Sequence, residues 1–371
     1  MKPERILQVV TIMNRGGLET MLMNYYRKLD PNLIQFDFMV HRIEEGHYDK
    51  EITKLGGRIY RMPQIRPGNY RRYFGLLEQF FMEHPEYKVV HSHINENSSF
   101  VLRAAKKAGV PCRIAHSHLS DLGLDMKLPF RLYARSTMKD NPSHYFACST
   151  NAGEWLFGKQ KATQVKVLNN AVNAEEFSFN QDNRERFRQE LGMRDDQLVI
   201  GHIGRFNKQK NHSFLIDIFH NIKGKCPDAM LVLVGDGNLR LSMEKKVKEL
   251  GLASNVRFLG VRSDISTVMH GIDLFLFPSL FEGLPVVLIE AQAAGLSCIV
   301  SDSITKESDI TGRVKFINLK ESAEAWADQI LSQSYQHADT KALLRESGYD
   351  TATMAKWLSD YYMENYKTGV R

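Results

Sequence analysis

The sequence predicts an α/β protein with two doubly wound parallel-sheet domains that face each other across a cleft. Its 371 residues correspond to about two domains of ordinary size. Short β-rich runs alternate with helical patterns along the whole chain, which is typical of parallel sheets covered by helices. Two of these runs, 231–234 and 274–277, are apolar without alternation, as expected for central strands that are buried on both faces.

The predicted strands form two series. The first comprises Ile6–Ile12, Gln35–Val40, Arg58–Arg61, Val89–Ser92, Cys112–Ala115, His144–Cys148 and Lys166–Leu168, and the second comprises Val199–Ile203, Ala229–Val234, Val256–Leu259, Leu274–Phe277 and Ser297–Val300. Helices are predicted between them at Leu18–Leu29, Phe74–Glu83, Phe100–Ala108, Phe214–Asn221, Leu239–Leu250 and Val286–Ala294. The polar segment Asn169–Asn173 is prone to turns, so we expect domains at 1–172 and 173–350. A last helical pattern at 351–366 is rich in aromatic residues, which favours docking on another surface.

Composition and charge narrow the class of protein. Hydrophobic residues make up 43% and charged residues 25%, which excludes a disordered or fibrous chain. Residues 1–172 carry 25 Lys+Arg and 16 Asp+Glu, a net of +9, whereas residues 173–371 carry 24 and 27, a net of −3. A basic first half favours an anionic partner or surface, with ordinary solvated charge as the alternative. The basic residues do not form a continuous run, and no known nucleic-acid-binding motif accompanies them, so nucleic acid is not expected as a partner.

Cysteine usage and the apolar runs favour a cytoplasmic protein. The four cysteines are scattered without a CxxC pair, which indicates a reducing compartment without a disulfide or zinc framework. We interpret the apolar run 6–13 as a buried strand and not as a signal peptide, because it is short and lacks a cleavage site. The run 284–300 contains Glu290 and Gln292, which argues against a membrane span.

Two loops that follow predicted strands have the features of anion sites. In the first, Gly16 and Gly17 open a helix, so the backbone can approach a ligand and free N–H groups can bind an anion; a tight turn is the alternative. In the second, Arg205 and Lys210 follow the strand 199–203, at the edge where parallel sheets bind ligands. These cations are suited to holding a diphosphate, and a solvated basic loop is the alternative.

The loop after the strand 274–277 contains the largest group of candidate site residues. Glu282 precedes a predicted helix, and Glu290 lies two turns inside this otherwise apolar helix. A buried carboxylate needs hydroxyl or cationic partners; a sugar or a ribose would supply hydroxyls, and pairing with a nearby Lys or Arg is the alternative. The free N–H groups where the helix begins would face an anion. This turn consists of Gly283, Leu284, Pro285 and Val286, and its proline suits a first helical turn.

Histidines follow two predicted strands of the first half. His91 and His93 form one H-x-H pair, and His116 and His118 form another. This spacing puts both rings on one face and could form a metal site, but no acidic cluster accompanies the rings. We interpret them as hydrogen-bond partners of a substrate hydroxyl or phosphate, with a structural role as the alternative. The chain has no Asp-x-Asp, which usually holds the divalent cation of a nucleotide diphosphate.

In combination, these residues resemble the retaining glycosyltransferases of family 4, whose GT-B fold consists of two Rossmann-like domains. The resemblance rests on Glu282 and Glu290 with the Gly-Leu-Pro between them, on Arg205 and Lys210, and on the segments at 16–19, 169–173, 235–237 and 256–260. It covers nearly the whole chain. More loosely, the chain resembles bacterial exopolysaccharide and capsule enzymes of that family. Members commonly carry Lys-Gly where this chain has Lys-Asn at 210–211, so the resemblance leaves the shape of that loop undefined.

The resemblance implies a role for each site residue. Arg205 and Lys210 would bind the donor diphosphate and neutralise the leaving group, Glu282 would contact the transferred sugar, and Glu290 would bind the ribose. The backbone of four residues would hold the phosphate or the sugar: Gly283, Leu284, Pro285 and Val286. The backbone of Arg257, Phe258 and Leu259 would contact the base. From the first domain, Gly16 and Gly17 would face the diphosphate. His116 would lie near the sugar and phosphate, with His118 as the alternative. A terminal helix at about 351–371 would pack back on the first domain.

The resemblance also implies the function. We expect a retaining, metal-independent transfer of a hexosyl unit from a nucleotide diphosphate sugar, in the first place a UDP-sugar, to a saccharide or lipid-linked acceptor in cell-surface polysaccharide synthesis. No cofactor is expected beside this donor, which would bind at 173–350 while the acceptor binds at 1–172. The segment Arg66–Phe74 mixes cations and aromatics and is the candidate for contact with the inner face of the membrane, with a soluble helix start as the alternative. Two other functions stay open: a UDP-sugar epimerase of GT-B fold, and a non-catalytic protein that binds nucleotide sugars.

Overall fold

A computed structural model describes residues 2–66, 68–118, 128–138, 140–282 and 284–368. Contacts between Cα atoms divide this part of the chain into two compact units. Unit 1 consists of the described residues up to Ala171 together with the helix Thr351–Thr368, and unit 2 consists of Val172–Asp350. The chain therefore leaves unit 1 for the whole of unit 2 and then returns to it.

Unit 1 is a parallel sheet with helices between its strands. The strands in its described residues are β1 (Glu4–Val10), β2 (Ile34–Val40), β3 (Ile59–Arg61), β4 (Val89–Ser92), β5 (Cys112–Ser117), β6 (His144–Ala147) and β7 (Val165–Val167), in the order β3-β2-β1-β4-β5-β6-β7. The helices between them are α1 (Gly17–Tyr26), α2 (Asp49–Lys54), α3 (Tyr70–Glu83), α4 (Ser98–Lys107), α5 (Leu128–Ser136) and α6 (Thr150–Phe157), with 3₁₀ turns at Asn95–Asn97 and Lys159–Gln164. The strand order reverses between β1 and β4, and ligands of doubly wound sheets bind at such a switch point.

Unit 2 repeats this plan. The strands in its described residues are β8 (Val199–Ile203), β9 (Met230–Val234), β10 (Val256–Gly260), β11 (Leu274–Phe277), β12 (Ser297–Ser301) and β13 (Val314–Ile317), in the order β10-β9-β8-β11-β12-β13. Its helices are α7 (Ala174–Phe177), α8 (Gln181–Glu190), α9 (His212–Lys225), α10 (Arg240–Glu249), α11 (Ile265–Gly271), α12 (Val286–Ala293), α13 (Ala323–Leu331) and α14 (Lys341–Glu346), with a 3₁₀ turn at Lys306–Ser308. Here the switch point lies between β8 and β11.

The two faces of the unit 2 sheet pack into different apolar cores. Val232 and Phe275 belong to one core, whereas their neighbours Leu231 and Leu274 belong to the other core together with Trp326. Because side chains alternate between the faces of a strand, a strand that is covered on both faces must be apolar throughout. The fold class predicted from the apolar runs and from the alternation of elements, two parallel-sheet α/β domains, is confirmed.

The helix Thr351–Thr368, α15, is part of the core of unit 1. Ala355, Leu358 and Tyr362 are buried against residues of β1 and β2. The Tyr362 ring meets the Phe36 ring edge-on, with 6.0 Å between centroids. Among the described residues, no helix combines the length and the apolar character that crossing a bilayer requires.

Several elements differ from the sequence prediction, including β5, β13 and α3. The strand predicted at 112–115 continues to Ser117, so His116 lies within β5 and not in the loop that follows it. The strand β13 was not predicted, because it has only four residues and Lys315 interrupts their apolar pattern. The helix α3 begins at Tyr70, four residues before the predicted start, because Arg71 and Arg72 interrupt the apolar pattern of its first turn.

Candidate functional site

The switch point of unit 2 brings Lys210 and Glu282 together. Lys210 follows β8 and Glu282 follows β11, the neighbouring strand in the sheet. Lys210 Nζ donates a hydrogen bond to Glu282 Oε1 at 2.7 Å and lies 4.5 Å from the centre of the Phe277 ring. The two side chains are only 16% and 8% exposed. Two charges that are withdrawn from water depend on each other, so only a ligand that offers new partners to both can open this pair.

The loop that carries Lys210 is fixed by its neighbour Asn211. This residue adopts a left-handed backbone with φ 55° and ψ 40°, a region that asparagine enters more readily than other non-glycine residues. Its Nδ2 donates to the Pro278 carbonyl at 3.1 Å. Asparagine thus supplies the backbone geometry for which a glycine is commonly used, and its side chain ties the loop after β8 to the loop after β11.

Arg205 lies at the start of the same loop, and its exposed guanidinium makes no ion pair with other described residues. The backbone on either side of it is held by two glycines. A Cβ on Gly235 would lie 2.2 Å from the Gly204 carbonyl oxygen, and one on Gly237 would lie 2.5 Å from that of Phe206. Both glycines have positive φ, 132° and 158°. The segment 235–237 therefore fixes the backbone that presents Arg205, while the guanidinium stays available for a ligand.

Glu290 lies half-buried on α12. Desolvation, and secondarily the negative charge of Glu176, raises the pKa of its carboxyl to about 7. In the described part of the chain no Lys or Arg pairs with it, so the structural ion pair considered as an alternative is wrong. The helix begins at Val286 with Pro285 as the N-cap and no side-chain cap, and Leu284 packs on the core beside them. Gly283, which the sequence also placed in this turn, lies outside the described residues.

The segment predicted to meet a base lies on β10, the edge strand two positions from β8. The Arg257 guanidinium donates to the Ser254 carbonyl at 2.9 Å, before the strand begins, so it points away from the carboxyl-terminal edge. The Phe258 ring lies 6.0 Å from the ring of Phe206, beside the Arg205 loop. The end of the segment Arg257–Leu259 therefore lies near the site, whereas the Arg257 side chain points away from it.

The switch point of unit 1 holds a cavity of about 470 Å³. Its lining includes Gly17 at the start of α1, His93 and Asn95 after β4, and His118 after β5. A Cβ on Gly17 would meet nothing within 4 Å, so this backbone is open to a ligand. The cavity thus joins one predicted glycine to two of the predicted histidines.

Glu19 is a site residue that the sequence analysis missed. Its carboxylate covers Gly16, where a Cβ would lie 2.2 Å from Oε2, and it also lines the cavity. Desolvation raises the pKa of this carboxyl. An anion bound at Gly16 and Gly17 would have to displace it. The available signal was its position three residues after the helix N-cap, where an acidic side chain satisfies free N–H groups.

The four histidines form one cluster in which His91, His93 and His116 are buried and His118 is half-buried. Desolvation is the main cause that lowers the pKa of each, that of His118 to about 3, so all four are neutral at physiological pH. His91 and His93 use both of their ring nitrogens in hydrogen bonds. The rings of His116 and His118 are stacked with centroids 4.0 Å apart. His118 lines the cavity, whereas His116, which the resemblance places near the sugar and phosphate, is enclosed behind it because β5 extends past it.

A metal ion is the other ligand that such a cluster could hold. Ring nitrogens of His91, His93 and His116 all lie within 4.8 Å of one another. A metal needs a free lone pair from each histidine, and Nε2 of His116 is the one of these six nitrogens without a hydrogen-bond partner. The observed arrangement is therefore a hydrogen-bonded network of neutral imidazoles.

Comparison with known proteins identifies the family. Residues 183–339 match the family model described as "Glycosyl transferases group 1". EpsF of Bacillus subtilis (strain 168), whose name designates a glycosyltransferase without a donor or an acceptor, is 37% identical over 357 residues, 94% of this chain and 93% of its own length. The UDP-Gal:alpha-D-GlcNAc-diphosphoundecaprenol alpha-1,3-galactosyltransferase of Escherichia coli is 28% identical over 227 residues, 58% of each chain.

Solved structures share the fold. The crystal structure of Anabaena Alr3699/HepE in complex with UDP superposes with a TM-score of 0.77 at 19% identity, covering 98% of this chain and 100% of the other. The GT-B fold inferred from the resemblance is confirmed by this likeness, and the transferase class is confirmed by the family match. With 37% identity over nearly the full length of EpsF, this chain belongs to the group 1 glycosyltransferases, and it is an enzyme of that class.

Proposed function

We propose that the enzyme is a retaining, metal-independent glycosyltransferase of family 4 that moves a hexosyl unit from a UDP-sugar to a saccharide or lipid-linked acceptor in cell-surface polysaccharide synthesis. The observation that carries this proposal is the pair of Lys210 and Glu282 beside Arg205 at the unit 2 switch point. The UDP in the HepE crystal and the UDP-Gal donor and diphosphoundecaprenol acceptor in the name of the Escherichia coli relative support it.

The charges of unit 2 suit a nucleotide diphosphate without a metal. Arg205 binds the diphosphate with its free guanidinium, and Lys210 leaves Glu282 for a phosphate oxygen. Each charge-assisted hydrogen bond contributes about 1.5–3 kcal/mol. Because negative charge grows on the departing phosphate, two fixed cations stabilise the transition state more than the ground state. Glu282, once released, accepts a hydroxyl of the transferred sugar.

Glu290 suits the ribose. A carboxyl with a pKa of about 7 is partly protonated at neutral pH, so it can both donate to and accept from a pair of adjacent hydroxyls. The uncapped N–H groups at the start of α12 lie on the same helix and face the phosphate or the sugar. The end of β10, beside Phe258, receives the base.

The acceptor is proposed to bind in the cavity of unit 1, and the surface around α3 and α5 is proposed to contact an anionic membrane. The Tyr70 ring stacks on the Phe130 ring at 5.9 Å and joins the two helices. Arg71 and Arg72 are exposed beside it, and Tyr133 is 56% exposed. Cations next to exposed aromatic rings are typical of interfacial segments. Sedimentation with anionic and with neutral vesicles at low salt tests this contact, and equal binding to both would refute it.

A donor screen followed by a transfer assay tests the function. A ligand that binds only the native state raises its melting temperature, so we expect UDP and one UDP-sugar to raise it in the presence of EDTA, and GDP-sugars to have no effect. That donor is then assayed with lipid-linked saccharide acceptors, and the anomeric configuration of the product is determined by NMR. Turnover of UDP-GlcNAc without acceptor would indicate an epimerase, and binding of UDP without any turnover would indicate a non-catalytic protein.

A further inference from the structure

A single buried amide, that of Gln8 on β1, holds two chains of hydrogen bonds in unit 1. Its Nε2 donates to the Tyr362 hydroxyl at 3.2 Å, and its Oε1 accepts from His93 Nε2 at 2.9 Å. Gln8 and Tyr362 are completely buried, and His93 is 2% exposed. An amide nitrogen can only donate and an amide oxygen can only accept. Gln8 therefore sets the direction of both chains.

The first chain runs through Tyr362 and His91 to His116. Because the Tyr362 oxygen accepts from Gln8, its own proton is available to His91 Nδ1, 2.6 Å away. A neutral imidazole carries one proton, so that of His91 is on Nε2 and is donated to His116 Nδ1 at 3.1 Å. The proton of His116 is consequently on Nε2, which is buried and has no hydrogen-bond partner.

The second chain runs through His93 to His118. His93 donates from Nε2 to Gln8, so its Nδ1 is a lone pair that accepts from His118 Nε2 at 3.0 Å. His118 is then left with a lone pair on Nδ1. Because the rings of His116 and His118 are stacked at 4.0 Å, the two chains end side by side, one with a donor and one with an acceptor.

We propose that Gln8 and Tyr362 are positioning residues that fix the tautomers of this network, so that His118, the terminal member that lines the unit 1 cavity, presents the lone pair of Nδ1 to a neutral hydroxyl of a saccharide. The identity of the ligand rests on the proposed function, whereas the tautomers follow from the hydrogen bonds alone. His116, which is enclosed behind His118, carries its proton on Nε2 and does not reach the cavity. A phosphate, which has only acceptors to offer, suits the lone pair of His118 poorly.

Histidine tautomers can be measured directly, because the two ring nitrogens have different ¹⁵N chemical shifts when protonated and when not. We would compare the wild-type full chain, labelled with ¹⁵N-histidine, with Tyr362→Phe, which keeps the ring against Phe36 and removes the hydroxyl. The matched control is Tyr361→Phe on the same helix, whose hydroxyl has no hydrogen-bond partner. Signals are assigned with single His→Gln variants.

We expect the wild type to carry the protons of His91 and His116 on Nε2. In Tyr362→Phe these two histidines should become tautomer mixtures, while His93 and His118 keep their signals because their chain does not pass through the phenol. Because His118 keeps its tautomer, kcat for transfer and the Kd for UDP should both stay near the wild-type values. Tyr361→Phe should match the wild type in all three measurements.

Two results would overturn the inference. One is an unchanged tautomer of His91 and His116 in Tyr362→Phe. The other is stoichiometric Zn²⁺ bound by the wild type and lost in His91→Gln, since a metal would occupy the nitrogens that the hydrogen bonds use. If no nucleotide sugar is transferred by the wild type, the proposed function fails, and the tautomer signals still decide this inference on their own.

Discussion

Lys210 and Glu282 form an ion pair with 2.7 Å between Nζ and Oε1, although 72 residues separate them in the chain. They meet because β8 and β11 are neighbours in the sheet and not in sequence. Both groups are largely buried, so removing either one leaves the other as a buried group without its partner. This mutual dependence leads to the first prediction.

Lys210→Met should destabilise unit 2 by about 3–5 kcal/mol, because it leaves a buried carboxylate without a partner. The double variant Lys210→Met with Glu282→Gln should regain most of that free energy of unfolding, since no charge is left uncompensated. Both variants should lose transfer activity by at least about 100-fold. Urea unfolding and initial rates provide the measurements; equal stability of the single and double variants would contradict the pairing argument.

Arg205→Ala should separate activity from stability. Because the guanidinium is exposed, the free energy of unfolding should change by no more than about 0.5 kcal/mol. Transfer should fall about 100- to 1000-fold, since a donor to the developing charge is lost. The matched control is Arg257→Ala, whose guanidinium is bound to the Ser254 carbonyl and should leave the rate near that of the wild type. Similar rates for both variants would show that Arg205 does not contact the diphosphate.

Glu290→Gln should change stability in a way that depends on pH. Because the folded-state pKa of about 7 lies above the ordinary value of 4.5, the stabilising contribution of this carboxyl is fully present below pH 4.5 and is lost as the pH rises through 7. Relative to the wild type, the variant should therefore be more stable at pH 8 than at pH 5, by up to about 3 kcal/mol. Unfolding by urea at both pH values measures this difference, and a pH-independent difference would exclude the raised pKa.

The histidine cluster should make unit 1 sensitive to acid. The folded-state pKa values lie below the ordinary 6.5, so the contribution to stability is present above pH 6.5 and is lost as the pH falls toward them. Each neutral imidazole makes the free energy of unfolding fall by up to about 1.4 kcal/mol for each pH unit of acidification in this range. His116→Gln should reduce the slope of unfolding free energy between pH 6 and 4 by about that amount. An unchanged slope would mean that this ring is already charged in the fold.

Gly235→Ala should disturb the loop that presents Arg205. The added Cβ would lie 2.2 Å from the Gly204 carbonyl oxygen, on a residue with φ 132°, so the backbone at 204–206 must move. We expect the affinity for UDP, measured by calorimetry, to fall about tenfold or more. Gly224→Ala on α9 is the control, because its Cβ would meet nothing within 4 Å, and it should raise stability by about 0.5–1 kcal/mol. Equal UDP affinity in both variants would contradict the role of Gly235.

The unit 2 site could be predicted from sequence because its residues stand directly after strands. Parallel strands present their carboxyl ends at one edge of the sheet, so motifs at strand ends become neighbours once the sheet is assumed. This reasoning predicted Arg205, Lys210 and Glu282 as site residues. It could not show that Lys210 and Glu282 pair with each other, because a pairing across 72 residues depends on side-chain directions that spacing does not give.

The network of unit 1 could not be predicted in the same way. Gln8 and Tyr362 are 354 residues apart and contact each other only because α15 packs on β1. The H-x-H spacing indicated that the rings share a face, and the structure agrees, but which ring is open to a cavity depends on where β5 ends. A strand two residues longer than predicted encloses His116 and leaves His118 at the cavity.

The return of α15 to unit 1 has a consequence for biosynthesis. Every residue of unit 2 leaves the ribosome before Tyr362 does, so unit 2 has all of its own strands available while nascent unit 1 still lacks the helix that covers Phe36 and the phenol that meets Gln8. Domains generally fold as they emerge, the N-terminal one first. In this chain the order is inverted at the last step, because unit 1 is synthesised first but can complete its fold only after unit 2 has been synthesised.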